Sequence, residues 1–138
     1  MRVLFLFITF PEPEVDDNLY TDLAEDFHKQ GHEVYVTTLK ESGDLSKSSI
    51  SEERGFPVLR VGCGKMFNVN YIRKALTMMS IPRKYISAIK DHFGDKKFDL
   101  VAYPTPPITL APVVKYVKKR DNARTFLILR DIFPQNAK

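Results

Sequence analysis

A charged pair directly follows an apolar run near the carboxyl end of the 138-residue sequence. Phe126-Leu127-Ile128-Leu129 has the length of a strand, and it stops at Arg130 and Asp131. Such a continuous apolar run is typical of a parallel strand covered on both faces. Because ligands of open α/β sheets bind beyond the carboxyl ends of the strands, this pair is the first candidate for a functional site. The alternative is a local ion pair beside a turn at Pro134.

A second candidate follows the apolar run from Phe98 to Tyr103. Thr105 and Pro106 come next, just before a predicted helix. The free backbone N–H groups at a helix amino terminus suit a phosphate or a carboxylate. Pro112 is tolerated only in the first turn of that helix, which favours Thr109 as its cap.

Polar residues also follow the first apolar run, Val3 to Ile8. The prolines after it exclude a helix, and Asp16, Asp17 and Asn18 then precede a helix predicted from Leu19. Carboxylates are favourable at such an amino terminus because of the helix dipole. All three candidates thus follow a predicted strand, and the second and third precede a predicted helix.

The elements that would position these residues alternate along the chain. Apolar runs of strand length and amphipathic stripes follow each other in the order β-α-β-β-α-β-α-β, which predicts a Rossmann-like α/β fold with a doubly wound, mostly parallel sheet in one domain. Further strands are predicted at residues 33–38 and 56–61, a surface loop at residues 40–55, and one long helix, or two broken before Pro82, at residues 66–93.

Composition indicates an ordinary folded protein. Hydrophobic residues make up 43% and charged residues 28% of the chain, and no apolar run approaches the roughly 20 residues of a membrane span. The run from Val3 to Phe10 has no small-residue cleavage site, so a signal peptide is not expected. A single cysteine, Cys63, excludes an internal disulfide and fits a cytoplasmic location.

Charge is divided unevenly between the two halves of the chain. Residues 1–57 carry a net charge of −7, whereas residues 58–138 carry +11. A basic half of this kind suits nucleic acid, anionic lipid or a phosphate-bearing substrate, and the charge alone does not choose among them.

Basic and apolar residues alternate between residues 65 and 97, where eight basic side chains accompany two acidic ones. This composition is typical of a helix lying on an anionic membrane surface. The alternative is an ordinary crossover helix with a basic face in water. The candidate membrane-surface residues are Lys65, Phe67, Arg73, Lys74, Arg83 and Lys84.

Several segments together resemble a known family. They are the opening strand, the helix from Leu19 to Phe27, the turn Gly31-His32-Glu33-Val34, the strand end Tyr103-Pro104-Thr105-Pro106-Pro107, and above all Leu129-Arg130-Asp131-Ile132-Phe133-Pro134-Gln135-Asn136. In order and spacing they look like the amino-terminal half of family 4 glycosyltransferases. The bacterial members that build capsule, O-antigen or exopolysaccharide units are the most similar.

The resemblance implies a GT-B enzyme in which two Rossmann-like domains face each other across a cleft. The amino-terminal domain would bind a lipid-linked or oligosaccharide acceptor, and the second domain a nucleotide sugar, without a metal or other cofactor and with retention of configuration. In that scheme Asp16 to Asn18, Thr105 and Pro106 would line the acceptor side. Arg130 and Asp131 would be catalytic.

The sequence departs from the family pattern at two places. The loop after the first strand has Pro-Glu-Pro-Glu-Val-Asp-Asp where many members carry a glycine pair. The residues up to Lys138 also do not include the second domain with its paired glutamates. We therefore expect these 138 residues alone to have no transferase activity.

Other classes of function have weaker support. The basic half leaves a nucleic-acid-binding module as an alternative, although no nucleic acid is expected under the resemblance, and a stand-alone Rossmann-like interaction module is a further one. Gly62-Cys63-Gly64-Lys65 lacks the first glycine of a phosphate-binding loop. His28 and His32 lie on either side of Gly31 with no evident third ligand, so no metal site is expected.

Overall fold

A computed structural model describes residues 1–40, 47–63, 70–105 and 108–130 of the chain. The fold is α/β, and helices alternate with strands over most of its length. In chain order the elements are β1 (Arg2–Leu6), α1 (Leu19–Lys29), β2 (Glu33–Leu39), β3 (Ser49–Glu53), β4 (Phe56–Val61), α2 (Tyr71–Phe93), β5 (Leu100–Thr105), a 3-10 turn (Ile108–Leu110), α3 (Ala111–Asp121) and β6 (Arg124–Leu129).

The six strands form one sheet in the order β3-β4-β2-β1-β5-β6. Every neighbouring pair is parallel except β3 and β4. The chain starts at the centre of the sheet and builds outward in both directions, which confirms the predicted doubly wound, mostly parallel architecture. β1 is consequently flanked by β2 and β5, and β6 is the strand beyond β5.

Two hydrophobic cores cover the two faces of the sheet. On one face α1 packs over phenylalanines of β1 and of the chain just beyond it, including Phe5, Phe7 and Phe10. On the other face α2 and α3 bury Tyr85 and Phe93, and the Tyr85 hydroxyl donates to the Phe7 carbonyl at 2.6 Å. Strands buried on both faces explain the continuous apolar runs of β1 and β4.

The predicted loop at residues 40–55 is wrong at its end, where the structure has β3. β3 and β4 form a hairpin closed by only Arg54 and Gly55, both at positive φ (54° and 87°). Two residues at positive φ define the turn whose twist matches paired strands. The polar sequence of β3 suggested a loop, because an edge strand with exposed side chains lacks an apolar pattern.

The prediction that the last strand is buried on both faces is also wrong. β6 is parallel as expected, but it lies at an edge of the sheet, and Phe126 and Leu129 are 55% and 62% exposed. A continuous apolar run indicates a strand suited to burial on both faces, but it does not show that both faces are covered by the same 138 residues.

The structure decides two helix predictions. Of the two alternatives for residues 66–93, the described residues form the single helix, Tyr71–Phe93, with Pro82 inside it. Burial of Ile81 and Tyr85 on either side of Pro82 offsets the backbone hydrogen bond that proline cannot make. Thr109 is not a cap, because it lies within the 3-10 turn, and α3 begins after Leu110 with Pro112 in its first turn.

Candidate functional site

The carboxyl ends of β1, β5 and β6 lie side by side at one edge of the sheet. β1 pairs with β5, and β5 pairs with β6 in a parallel register that aligns Thr105 with Leu129. The residues that follow these strands therefore emerge at the same edge, where open α/β sheets bind ligands.

Arg130 and Tyr20 meet at this edge. The guanidinium of Arg130 lies over the Tyr20 ring, 5.3 Å from its centre, and Arg130 Nη1 donates to the Tyr20 hydroxyl at 3.3 Å. The Tyr20 ring in turn stacks on Phe7, which follows β1, at 4.6 Å between ring centres. The end of β6, the first turn of α1 and the end of β1 are thereby joined, and a positive charge stands at the edge.

Asn18 is the cap of α1. Its side-chain oxygen accepts hydrogen bonds from the backbone N–H groups of Tyr20 (2.8 Å) and Thr21 (3.1 Å), while the Thr21 hydroxyl accepts from the Asn18 N–H. This reciprocal capping box satisfies donors that would otherwise be unpaired at the helix terminus. The predicted acceptor-side residue Asn18 thus fixes the direction in which α1 begins.

Asp16 and Asp17 are held by Arg54, in the β3–β4 turn. Arg54 Nη1 lies 2.6 Å from an Asp17 carboxylate oxygen and 2.8 Å from one of Glu25, and Nη2 donates to the Asp16 carbonyl at 3.0 Å. The hydrogen bond from Arg54 lowers the pKa of Glu25. The β3–β4 hairpin lies at one end of the strand order and β6 at the other. The Asp17 carboxylate is therefore paired on the side of α1 away from β6.

Thr105 ends β5 with a buried hydroxyl. Among the described residues its Oγ1 has no hydrogen-bond partner, although the atom is inaccessible to solvent. Buried polar atoms are normally paired with protein, water or a ligand. Of the residues predicted for the acceptor side, Thr105 therefore has an unused polar group at the carboxyl edge.

The amino-terminal half of α2 projects beyond the sheet at the same edge. At its other end Phe93 packs against Tyr35 and Phe98, near the starts of their strands, so the helix runs opposite to the strands. A helix of 23 residues is about 35 Å long, whereas a six-residue strand spans about 20 Å. Burial begins at Ile81, and the large apolar residues exposed before it are Tyr71, Ile72, Leu76, Met78 and Met79.

Several predicted residues are placed only in part. Asp131, Pro106, Lys65 and Phe67 lie outside the described residues. Arg73 and Lys74 belong to the first turns of α2, and nothing is described of their side chains. Arg83 is exposed and Lys84 is half-buried in the same helix. The roles expected for all of these residues remain predictions.

The opposite, amino edge of the sheet carries a depression whose charged side chains are paired with one another. Arg2 Nε lies 2.9 Å from Glu33, and the Arg2 backbone N–H donates to Asp99 at 2.6 Å. Hydrogen bonds from Tyr35 and Arg2 lower the pKa of Glu33, while burial and the bond to Glu33 raise that of Tyr35 to about 12. These groups stabilise the starts of the strands.

Sequence reasoning missed Arg54 and the role of Tyr20. Tyr20 lies within the helix predicted from Leu19, and the sequence pattern does not single out its hydroxyl. Arg54 fell in the predicted loop, and the available signal was Gly55, because glycine is favoured in two-residue hairpin turns at positive φ. Among the described residues no group of three histidine, cysteine or acidic side chains is placed to hold a metal ion.

No family model and no curated protein matches the sequence. Solved structures that match the fold include the following three. One is a sucrose-phosphate synthase from Thermosynechococcus elongatus, with a TM-score of 0.67 and 13% identity over 100% of this chain and 36% of that chain. Another is the catalytic domain of starch synthase IV from Arabidopsis thaliana bound to ADP and acarbose, with a TM-score of 0.62 and 14% identity over 94% of this chain and 34% of that chain. The glycosyltransferase of kitacinnamycin has a TM-score of 0.61 and 8% identity over 93% of this chain and 30% of that chain.

At these identities the likeness shows the fold alone. The chain has the Rossmann-like α/β fold found in part of these glycosyltransferases, and it spans about a third of their length. No helix among the described residues is long and apolar enough to cross a bilayer.

Proposed function

We propose that this chain is the acceptor-binding part of a retaining GT-B glycosyltransferase of the family 4 capsule, O-antigen or exopolysaccharide type. It would transfer a sugar from a nucleotide sugar to a lipid-linked polysaccharide precursor. The observation that carries the proposal is the meeting of Arg130 and Tyr20 beside Thr105, at the carboxyl edge of a sheet with this fold. The three glycosyltransferases of similar fold support the class of reaction by analogy.

The proposed site would act by positioning and by charge. In the transfer, an acceptor hydroxyl oxygen forms a bond to the anomeric carbon, the bond from that carbon to the diphosphate oxygen breaks, and the hydroxyl proton passes to the departing diphosphate. Asp131 would orient the acceptor hydroxyl, and Arg130 would stabilise negative charge on phosphate. Thr105, which ends β5 at the same edge, would line the acceptor side. No cofactor is required in this scheme.

The nucleotide sugar would be bound mainly by a second domain that residues 1–138 do not include. The starch synthase of similar fold was solved with ADP and acarbose, a nucleotide and a sugar ligand, and it is about three times as long as this chain. We therefore expect residues 1–138 to bind acceptor without turning over a nucleotide sugar.

The exposed half of α2 would contact an anionic membrane surface, at a cytoplasmic face. Tyr71 is 89% and Met79 75% exposed, and Ile72 and Leu76 extend the same apolar surface. Arg83 is exposed just after them, so charge and apolar area lie together as in interfacial helices. A helix that projects at the carboxyl edge would present a lipid-linked acceptor to Thr105 and Arg130.

Acceptor binding can be measured by titration calorimetry with a short-chain polyprenyl diphosphate sugar. We expect binding to wild-type residues 1–138 and a loss of about tenfold in Arg130→Gln, since a charge-assisted contact to phosphate is removed. The control is Arg124→Gln, at the opposite end of β6. A salt-dependent preference for an oligonucleotide over the diphosphate sugar would instead favour the nucleic-acid-binding alternative.

Membrane contact can be measured separately by flotation with vesicles of anionic or neutral phospholipid. We expect the wild-type protein to float with anionic vesicles and the double variant Leu76→Ser, Met79→Ser to remain behind. Ile50→Ser is the control, because Ile50 is an exposed apolar residue on β3. Equal flotation of both variants would rule out α2 as the contact.

A further inference from the structure

Three stacked aromatic rings, which we call the aromatic row, lie on the α1 face of the sheet. Phe10 stacks on Phe7 with ring centres 5.7 Å apart and ring planes 1° apart, and Phe7 stacks on Tyr20 at 4.6 Å. Phe10 is 1% exposed and Phe7 is fully buried. The guanidinium of Arg130 lies over the Tyr20 ring. The aromatic row therefore extends from Phe10 to the cation at the carboxyl edge.

Phe10 lies in a segment that is held by a side chain. The described segment at residues 7–18, between β1 and α1, contains no strand or helix. The Phe10 carbonyl accepts a hydrogen bond from Arg60 Nη1 at 3.0 Å, and this contact is buried. The position of Phe10 consequently depends on the direction of the Arg60 guanidinium.

Glu53 fixes that direction. Arg60 Nε donates to one carboxylate oxygen of Glu53 at 2.9 Å, and Arg60 Nη2 donates to the other at 2.6 Å. Such a two-point contact fixes the orientation of a guanidinium. Glu53 is on β3 and Arg60 is on β4, so the pair belongs to one end of the strand order. Arg130 follows the strand at the other end, five strand spacings or about 24 Å away.

We propose that Glu53 and Arg60 are positioning residues for Arg130 and that they act through the aromatic row. In a close-packed interior, one ring cannot shift unless its neighbours shift as well. Without the Glu53 carboxylate the Arg60 guanidinium turns toward water, because a buried charge without a partner is costly. The Phe10 carbonyl then loses its donor, the aromatic row shifts, and Arg130 loses its orientation. Only the binding of phosphate by Arg130 rests on the proposed function.

The first test follows the Arg130 Nε–H signal by NMR in the isotopically labelled protein. The Tyr20 ring current shifts this signal in the wild type, because the guanidinium lies over the ring. In Glu53→Gln we expect the signal to move toward the position of arginine in an unfolded peptide. Asp121→Asn is the matched control, because its carboxylate is 1% exposed and pairs with Arg120 at 2.6 Å at the end of α3. It should leave the Arg130 signal in place.

A second pair of variants changes a ring instead of the ion pair. Phe10→Leu keeps most of the apolar volume and removes the ring, so it should move the Arg130 signal as Glu53→Gln does. Phe98→Leu, equally buried in the core under α2 and α3, should not move it. Thermal unfolding checks that each variant folds. Nuclear Overhauser effects within the aromatic row of the wild type measure the ring contacts without any variant, and their absence would overturn the proposal.

The effect on binding is measured by calorimetry with the short-chain polyprenyl diphosphate sugar. We expect Glu53→Gln to bind about fivefold more weakly than the wild type, but to cause less than about twofold further loss in an Arg130→Gln background. If the wild type does not bind this ligand, the proposed function fails, and the NMR signal alone decides the positioning role.

Three results would overturn the proposal. The Arg130 signal stays in place in Glu53→Gln and Phe10→Leu, it moves equally in Asp121→Asn, or the fivefold loss of affinity persists in the Arg130→Gln background.

Discussion

Arg130 at the end of β6 and Tyr20 in the first turn of α1 are 110 positions apart in sequence, yet the guanidinium lies 5.3 Å from the ring centre. The contact orients a cation at the carboxyl edge through an aromatic ring that is itself stacked on Phe7. A phosphate-binding role for Arg130 therefore depends on the position of α1.

Tyr20 can be tested by two substitutions. Tyr20→Phe keeps the ring under Arg130, so we expect acceptor binding within about twofold of wild type, because a neutral hydrogen bond at 3.3 Å is weak. Tyr20→Ala removes the ring, and we expect a loss of stability of about 2 kcal/mol as well as weaker binding. Urea unfolding and calorimetry measure the two effects. Tyr71→Ala, at an exposed position, is the stability control, and an equal loss there would contradict the account.

Arg54 has two opposing effects on stability. Its side chain forms ion pairs, which stabilise the fold, whereas its positive backbone φ is unfavourable for a residue other than glycine. Arg54→Ala should reduce stability by about 2 kcal/mol, because the ion pairs to Asp17 and Glu25 are lost. Arg54→Gly should be about 1 kcal/mol less damaging than Arg54→Ala, since glycine adopts a positive φ readily. In both variants the pKa of Glu25, followed by NMR, should rise toward its ordinary value. An unchanged pKa would show that the pair does not form.

The ion pair between Arg60 and Glu53 is buried, with side chains 8% and 11% exposed. Burial raises the pKa of Glu53, but hydrogen bonds from Arg60 and Ser51 outweigh it, so the pKa lies below the ordinary 4.5. Glu53→Gln should cost about 3 kcal/mol at neutral pH, because it leaves the Arg60 charge unpaired. Glu52→Gln, exposed on the same strand, should change little.

The same pair predicts a pH dependence. Because folding lowers the pKa of Glu53, its stabilisation is present above pH 4.5 and is lost as the pH falls through the lower, folded-state pKa. The difference in unfolding free energy between wild type and Glu53→Gln should therefore shrink below pH 4.5. A difference that stays constant down to pH 3 would show that folding does not lower the pKa of Glu53.

Two asparagines at helix starts provide a matched pair. Asn18 makes the capping hydrogen bonds of α1, whereas Asn70 precedes α2 without any side-chain capping bond. Asn18→Ala should destabilise the protein by about 1 kcal/mol, and Asn70→Ala by much less. Urea unfolding measures both, and equal losses would contradict the capping geometry.

Much of the fold could be predicted from the sequence, because apolar runs and stripes report burial. β1, β4, α1 and the second half of α2 follow that rule and were predicted correctly in type. β3 was missed, since a polar edge strand has no apolar pattern. β6 was correctly predicted as a strand, but its exposure was not predicted. Its apolar side chains show that the strand is suited to burial, and they do not show whether other residues cover it.

For the candidate site, the sequence predicted which strand ends lie together, but it did not predict the side-chain contacts there. Parallel strands place Thr105 and Arg130 at one edge, and that much follows from the topology. Asp17 and Arg54 are 37 positions apart, and their pairing depends on the β3–β4 hairpin. The contact of Arg130 with Tyr20 depends on where α1 begins. Such contacts arise from tertiary packing, which one sequence does not specify locally.

The most direct measurement is an NMR titration of isotopically labelled residues 1–138 with the short-chain polyprenyl diphosphate sugar. We expect the shifts to change at Tyr20, Thr105 and Arg130 and to stay constant at Arg2 and Asp99 on the amino edge. Saturable changes at the amino edge, with Thr105 and Arg130 unaffected, would contradict the account.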